Sequence, residues 1–306
     1  MIGIMLMSYG SPKSLDDVGE FFSHILQGRV PSPEQVFQVR EQYRSLGTCD
    51  PLGATTERQA EALQFLLKSQ LSDEVRVYAA FKHAHPFIDD VVQKLVDEGA
   101  SQIVTLPMNP LFSKMGVGSY QKSVREAVAK LGADLPVTDI YQWHTHPDFV
   151  SVIAKRVEKA LNWLPEQTTV IFTAHNQRGK AENHPEYIQQ FSELAQQVAS
   201  ELNLENWKTA YRSGGPNKDI WLSPYLADVI KQEASSGKKG IVTCDLLSLT
   251  GNSEVLHDIG LKCQKQVHEL GLEYARTEFL NDSADFMLAM TNIVKEQLEK
   301  QVVSKV

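Results

Sequence analysis

The stretch Thr169-Val170-Ile171-Phe172-Thr173-Ala174-His175-Asn176 decides the fold. Its β-branched and apolar run shows no polar alternation, so it reads as a strand covered on both faces, the mark of a parallel sheet. Pro165 before it and Gly179 after it bound the run. Similar runs occupy 2–7, 75–80, 102–106, 137–141, 207–211 and 240–244, and 272–275 is a weaker eighth. Between them apolar residues recur at helical spacing, as in Ile88, Val91, Val92 and Leu95, or Val150, Ile153, Val157 and Leu161, or Val255, Leu256 and Ile259. Strands alternating with helices build βαβ units, and right-handed crossovers place helices on both faces of the sheet.

The alternation has a two-fold theme. The first half opens with a strand and Ser8-Tyr9-Gly10, the second with a strand and Ala174-His175-Asn176. The expected fold is α/β, with two Rossmann-like halves of parallel sheet, flanking helices and a cleft between them. The boundary is placed near 141–147, giving halves of 1–142 and 143–282. An amphipathic helix over 283–306 is expected to pack back on the first half. Two helix-period runs, broken at Gly28-Arg29-Val30-Pro31, form an insertion over about 13–50 on the ligand side of the first sheet, where insertions act as walls or lids.

A net charge of −8 with no basic stripe argues against nucleic-acid binding. The apolar runs are strand length, so no transmembrane helix is expected. The first residues lack the basic flank of a signal peptide. Three scattered cysteines without Cys-x-x-Cys spacing suggest a reducing, cytoplasmic setting, and argue against a disulfide scaffold or a cysteine zinc site. Gly-x-Gly-x-x-Gly, Gly-x-x-x-x-Gly-Lys and Gly-x-Ser-x-Gly are all missing, which removes the common nicotinamide, nucleotide and hydrolase readings.

Ligands of open α/β sheets bind outside the carboxyl ends of strands, which is where His175 falls. An imidazole there can move protons or hold a metal. Glu254 follows the strand 240–244 and a loop, in the first turn of a helix opened by Asn252-Ser253. Facing each other, the two would suit a divalent cation such as ferrous iron, or paired proton transfer. A packed histidine and a helix-terminal glutamate matched to the dipole are the plain alternatives. Tyr9 ends the first strand, and Tyr120 is read in a Gly/Ser loop over 112–120. Either could hold a flat apolar ligand, and a phenol can ligate iron. His83, His85, His144 and His146 follow strand ends and would form an exposed cluster able to take up metal adventitiously. His24, His184, His257 and His268 are read as helical surface or packing residues.

These pieces, with others in order along the chain, resemble the ferrochelatases, in particular the coproporphyrin-type enzymes of Gram-positive bacteria. The resemblance runs through 3–12, His24-Ile25, Gly28-Arg29, Pro31, Pro33-Glu34, Gln42-Tyr43, Pro51-Leu52, Lys82-His83, Pro86-Phe87-Ile88, Ser119-Tyr120, Ala174-His175, Trp221-Leu222, Pro224, Glu254-Val255-Leu256 and Asp258. It implies two Rossmann-like halves with four-stranded parallel sheets, and insertion of ferrous iron into a porphyrin, most simply coproporphyrin III, in heme synthesis. By motif, His175 and Glu254 become the catalytic metal-site pair, with Tyr9 on the opposite porphyrin face as a further iron ligand. Tyr9, Arg29, Gln42, Tyr43, Asp50 and Tyr120 become porphyrin contacts, and Lys82, His83 and Asp258 further candidates. Iron is then substrate and no cofactor is permanently bound; porphyrin and iron are the partners of an expected monomer. The chain departs from the family pattern at Asn176, at 251–253, at Leu26, Gln27 and Gln42 where arginines are expected, at Asp50 and at Lys262. Those departures leave open a catalytically weak or inactive relative that binds tetrapyrrole or metal. A two-lobed periplasmic-type binder would share the architecture, but the N-terminus does not read as its signal peptide.

Overall fold

The computed structural model describes residues 1–304 except Thr48, Asp50 and Pro216, with side chains described to residue 300. Its strands are β1 (Ile2–Ser8), β2 (Val75–Phe81), β3 (Gln102–Pro107), β4 (Val137–Asp139), β5 (Thr168–His175), β6 (Trp207–Arg212), β7 (Gly240–Asp245) and β8 (Glu273–Arg276). All eight expected strands are present. β1 to β4 form one parallel sheet in the order β2-β1-β3-β4, and β5 to β8 form a second in the order β6-β5-β7-β8. Both halves therefore share one winding. In each, the first strand lies inside the sheet and the chain leaves to both sides of it, which opens a crevice at that strand's carboxyl end.

The helices are α1 (Val18–Ile25), α2 (Pro33–Ser45), α3 (Leu52–Lys68), α4 (Ile88–Asp97), α5 (Val117–Lys130), α6 (Pro147–Leu161), α7 (Pro185–Glu201), α8 (Leu226–Ser235), α9 (Ser253–Val255), α10 (Gln264–Glu269) and α11 (Ala284–Ser304). The expected insertion is the α1–α2 pair. Ser32 starts α2 with a capping box, its hydroxyl accepting the Gln35 N–H while the Gln35 side chain accepts the Ser32 N–H.

One apolar core joins the two sheets. It runs from Leu6 and Leu63 through Phe149 on α6 and Phe286 on α11 to Phe172 on β5 and Phe191 on α7. Helix α11 packs against α3 and α6. Arg156 on α6 fixes its start, with Nη1 and Nη2 each 2.8 Å from an Asp285 oxygen. That guanidinium holds the Asp285 carboxyl down at about 2. Smaller cores lie under α4 and α5 on the first sheet and under α8 and α10 on the second.

Three expectations are corrected. Tyr120 is in the first helical turn of α5, not in a loop; Gly116 and Gly118 mark the start of that helix rather than continued coil. His144 and His146 do not join His83 and His85 in an exposed cluster. His144 is buried against Glu193 on α7 (2.9 Å), and His146 meets Glu296 on α11 (3.1 Å). His184 caps α7 from outside it and meets the Arg178 carbonyl at 2.9 Å.

Phe172 is fully buried and meets Trp207 edge-on with ring centres 5.9 Å apart. Phe172→Ala should lower stability by about 3–5 kcal/mol, the usual cost of deleting a buried aromatic ring, read as a lower urea midpoint at unchanged slope.

Candidate active site

The second sheet delivers three polar residues to one place. β5 ends on His175, β6 on Arg212 and β7 on Asp245. β5 lies between the other two strands, so Arg212 and Asp245 meet across its carboxyl end. Arg212 Nε donates to Asp245 Oδ2 at 2.6 Å, and its Nη2 donates to Asp245 Oδ1 at 3.4 Å and to Ser248 Oγ at 2.7 Å. Asp245 also accepts Thr173 Oγ1 at 2.9 Å and the Leu247 and Ser248 N–H groups at 3.2 and 2.6 Å. Both side chains are almost fully buried, and a buried ion pair is tolerable only when its remaining hydrogen-bonding capacity is met in this way.

His175 stands on that floor. Its Nδ1 lies 2.6 Å from the Asn176 carbonyl. Nδ1 is therefore the hydrogen-bearing nitrogen, and Nε2 faces Glu254 Oε1 at 3.0 Å. The backbone beneath the ring is fixed twice. Tyr187 donates its hydroxyl to the His175 carbonyl at 2.7 Å. The buried Asn176 amide accepts the Leu222 N–H at 2.8 Å and donates to the Leu222 carbonyl at 2.9 Å. The departure at Asn176 thus has a structural use.

Glu254 comes from α9, the helix that follows β7. Asn252 caps α9, its Oδ1 accepting the Val255 N–H at 3.1 Å. α9 continues through a π-helical stretch, Leu256–Cys263, into α10. A carboxylate in the first turn benefits from the positive end of the helix dipole. Arg212 Nη1 lies 3.6 Å from Glu254 Oε2. Burial disfavours the charged form of Glu254, but the His175 hydrogen bond and charge, and then Arg212, outweigh it and hold the carboxyl at about 2. Burial likewise works against a charged His175, yet Glu254 outweighs it and raises the imidazole above its ordinary value, with Arg212 in opposition. Both shifts favour an imidazolium facing a carboxylate. The pair's Glu254 contribution to stability is present above the ordinary value of 4.5 and fades as pH falls to about 2. Its His175 contribution is present below the ordinary 6.5 and fades as pH rises through the raised value.

The pair lines a cleft of about 550 Å³ between the two sheets. Tyr9, Tyr43 and Tyr120 line it from the first half, with Phe21 from α1. Gly10 is left-handed (φ +89°), and a Cβ there would lie 3.0 Å from the Cβ atoms of both Phe81 and Ala84, so the turn that presents Tyr9 needs a glycine. Tyr9 and Glu254 line the same cleft from the two halves, and the Tyr9 phenol is raised by burial and then by the charge of Glu254. Tyr120 is buried, and burial raises its phenol too.

Other candidates stand apart. Arg29 is exposed and donates from Nε to the Leu26 carbonyl at 3.2 Å. Gln42 is half-buried on α2; neither residue lines the cleft. Asp50 lies outside the described residues. Lys82 donates to Ser119 Oγ at 2.9 Å and to the Met115 carbonyl at 3.2 Å, tying down the start of α5; burial lowers its ammonium. His83 stacks near Tyr9 with ring centres 4.5 Å apart, and is lowered to about 4 by burial and then by the charges of Lys82 and His24. Asp258 sits on the π-helical stretch, where it accepts from Ser213 Oγ and pairs with Lys262 at 3.1 Å. Arg212 and Asp245 escaped the sequence reading, although each stands at the end of an expected strand, as His175 does.

A family model for ferrochelatase matches residues 1–298. The chain belongs to the ferrochelatase family. It is 33% identical to a ferrochelatase of Herpetosiphon aurantiacus over 300 residues, 96% of this chain and 98% of that one. It is 31% identical to a coproporphyrin III ferrochelatase of Anoxybacillus flavithermus over 98% of each chain, and 29% identical to one of Bacillus subtilis over 97% of this chain and 98% of the other. Among solved structures, SirB from Bacillus subtilis with Fe3+ superposes with a TM-score of 0.62 at 13% identity, over 97% of this chain and 95% of that one, a likeness of fold. The family supports a metal-chelatase enzyme. No described helix of this ferrochelatase-family chain is long and apolar enough to cross a membrane.

Two measurements probe the pair. In proton NMR, the His175 imidazole should titrate above 6.5, and Glu254→Gln should bring it below 6.5, because burial and Arg212 then prevail. Arg212→Met should cost about 3–5 kcal/mol of stability in urea, since it strands a buried Asp245 carboxylate.

Proposed function

We propose that this chain inserts ferrous iron into a porphyrin, with coproporphyrin III as the substrate, in heme synthesis. The observation that carries the proposal is the 3.0 Å approach of His175 Nε2 to Glu254 Oε1 at the floor of the cleft, with Tyr9 lining the same cleft from the first half. Relatives named as coproporphyrin III ferrochelatases, at about the same length as this chain, support the choice of porphyrin.

The chemistry follows from the proton-sharing pair that both shifts favour. A cation entering between Nε2 and Oε1 displaces the proton they share, since metal ligation requires a free lone pair. His175 keeps its orientation, because Nδ1–H remains bound to the Asn176 carbonyl. A ferrous ion suits one imidazole and one carboxylate with further positions left for water. As iron passes to the macrocycle, two pyrrole protons leave. Nε2 and Oε1 take one back and restore the original pair, and the second passes to water in the open cleft. Tyr9, Tyr43, Phe21 and Tyr120 supply aromatic surface for a flat ring.

One observation favours a second reading, a binder with weak or no activity. Arg212 is the only arginine or lysine lining the cleft among the described residues, and it is already committed to Asp245. A tetracarboxylate then meets hydroxyls and amides there rather than cations, which lowers its grip.

Anaerobic incubation with ferrous iron and either coproporphyrin III or protoporphyrin IX, followed by porphyrin absorbance, separates the readings. Turnover that is faster with coproporphyrin III supports the proposal. A shifted Soret band with no metalation supports the binder. His175→Ala should lose at least a hundredfold in insertion rate while still shifting the Soret band; unchanged turnover would remove His175 from its role.

A further inference from the structure

Next to the cleft, and sharing Phe21 with it, lies a second pocket. It is lined by Asp17, Glu20, His24, His83, His85 and Phe87 among others and holds about 290 Å³. His24 comes from α1 and His83 from the loop after β2, and their Nδ1 atoms face each other at 2.9 Å. Nothing in the iron-insertion scheme uses this pair.

An Nδ1–Nδ1 approach of this length requires one hydrogen-bearing and one bare nitrogen, and it can be met equally by a shared metal ion. Two imidazoles bound to one cation at about 2.0–2.1 Å place their nitrogens about 2.9 Å apart when the ligand angle is near 90°, and about 3.4 Å apart when it is tetrahedral. The observed 2.9 Å is a hydrogen bond between the two nitrogens, within a small side-chain adjustment of either arrangement. We propose that His24 and His83 form a second metal site for a nitrogen-seeking cation such as Cu2+, which imidazoles bind more tightly than Zn2+. Binding needs no net proton release. The shared hydrogen moves from Nδ1 to Nε2 of the same neutral ring, leaving both Nδ1 lone pairs for the metal.

The other ligand positions go to water and to a nearby carboxylate. Among the described residues no group of three His, Cys, Asp or Glu is already assembled around a metal-sized space. Glu20 is the natural third ligand, because it stands four residues before His24 on α1, on the same helix face, and lines the same pocket. His85 is engaged elsewhere, with Nδ1 3.2 Å from Asp90 and its ring against Phe87. The location gives the site a consequence. His83 packs on Tyr9, and His24 stacks on Phe87 with ring centres 4.8 Å apart. A cation that locks the two imidazoles also locks the ring behind Tyr9 and so stiffens one wall of the cleft.

The test uses binding alone, so its outcome is independent of iron insertion. Titrate Cu2+ into the full chain carrying His175→Ala, which removes the cleft imidazole, and record the paramagnetic resonance spectrum. The expected result is one bound ion per chain with tetragonal parameters and coupling to two imidazole nitrogens. Adding His24→Ala, or His83→Asn, should weaken binding at least tenfold and remove that coupling, whereas adding His85→Ala should change affinity less than threefold. Zn2+ should bind at least tenfold more weakly than Cu2+. A Cu2+ spectrum and affinity unchanged by loss of both His24 and His83 would overturn the proposal, as would a spectrum without two-nitrogen coupling in the parent.

Discussion

Arg212 and Asp245 hold the second half of the molecule in working order. They reach over the end of β5 from its two neighbours, and everything chemical rests on that bridge. Asp245 neutralises the guanidinium, two backbone N–H groups and Thr173 complete the carboxylate, and Ser248 takes one of the remaining arginine donors. The rest of the guanidinium charge is turned toward Glu254. A carboxylate placed in a concave site ordinarily rises in pKa; here the neighbouring cations reverse that. Glu254, held as a carboxylate, in turn raises the His175 imidazole against the opposing charge of Arg212.

The two halves share one winding and use it differently. In each, the crevice opens beside the strand that the chain enters first. In the first half it presents a phenol on a glycine turn, with aromatic side chains from the α1–α2 insertion beside it. In the second it presents the imidazole, carboxylate and guanidinium. On the proposed reading, one wall offers surface to a flat ring while the other handles protons and charge. The shared core running through α6 and α11 keeps the walls in register.

Much of this was legible in the sequence. Covered parallel strands carry unbroken apolar runs, so β1 to β8 could be found from composition and spacing alone, down to the short β8. His175 was visible because a histidine directly after such a run stands at a strand's carboxyl end. Glu254 was visible because Asn252-Ser253 announces a helix start. Arg212 was not, because its importance depends on β6 and β7 flanking β5, and strand order leaves no local mark. The π-helical stretch at Leu256–Cys263 escaped because it is too short for its longer period to stand out from an α-helical pattern. The His24–His83 contact joins residues 59 apart and has no local signature. His144 was misread as exposed because its polar surroundings in sequence hide a partner, Glu193, that only folding supplies.

The central claim is that His175 and Glu254 together receive the metal. Anomalous diffraction from crystals equilibrated anaerobically with Co2+, a stand-in for ferrous iron, tests it most directly. The expected result is a peak between His175 Nε2 and Glu254, within about 2.0–2.2 Å of the nitrogen and of a carboxylate oxygen. A cleft in which cobalt binds away from both residues, with the imidazole still hydrogen-bonded to Glu254, contradicts it.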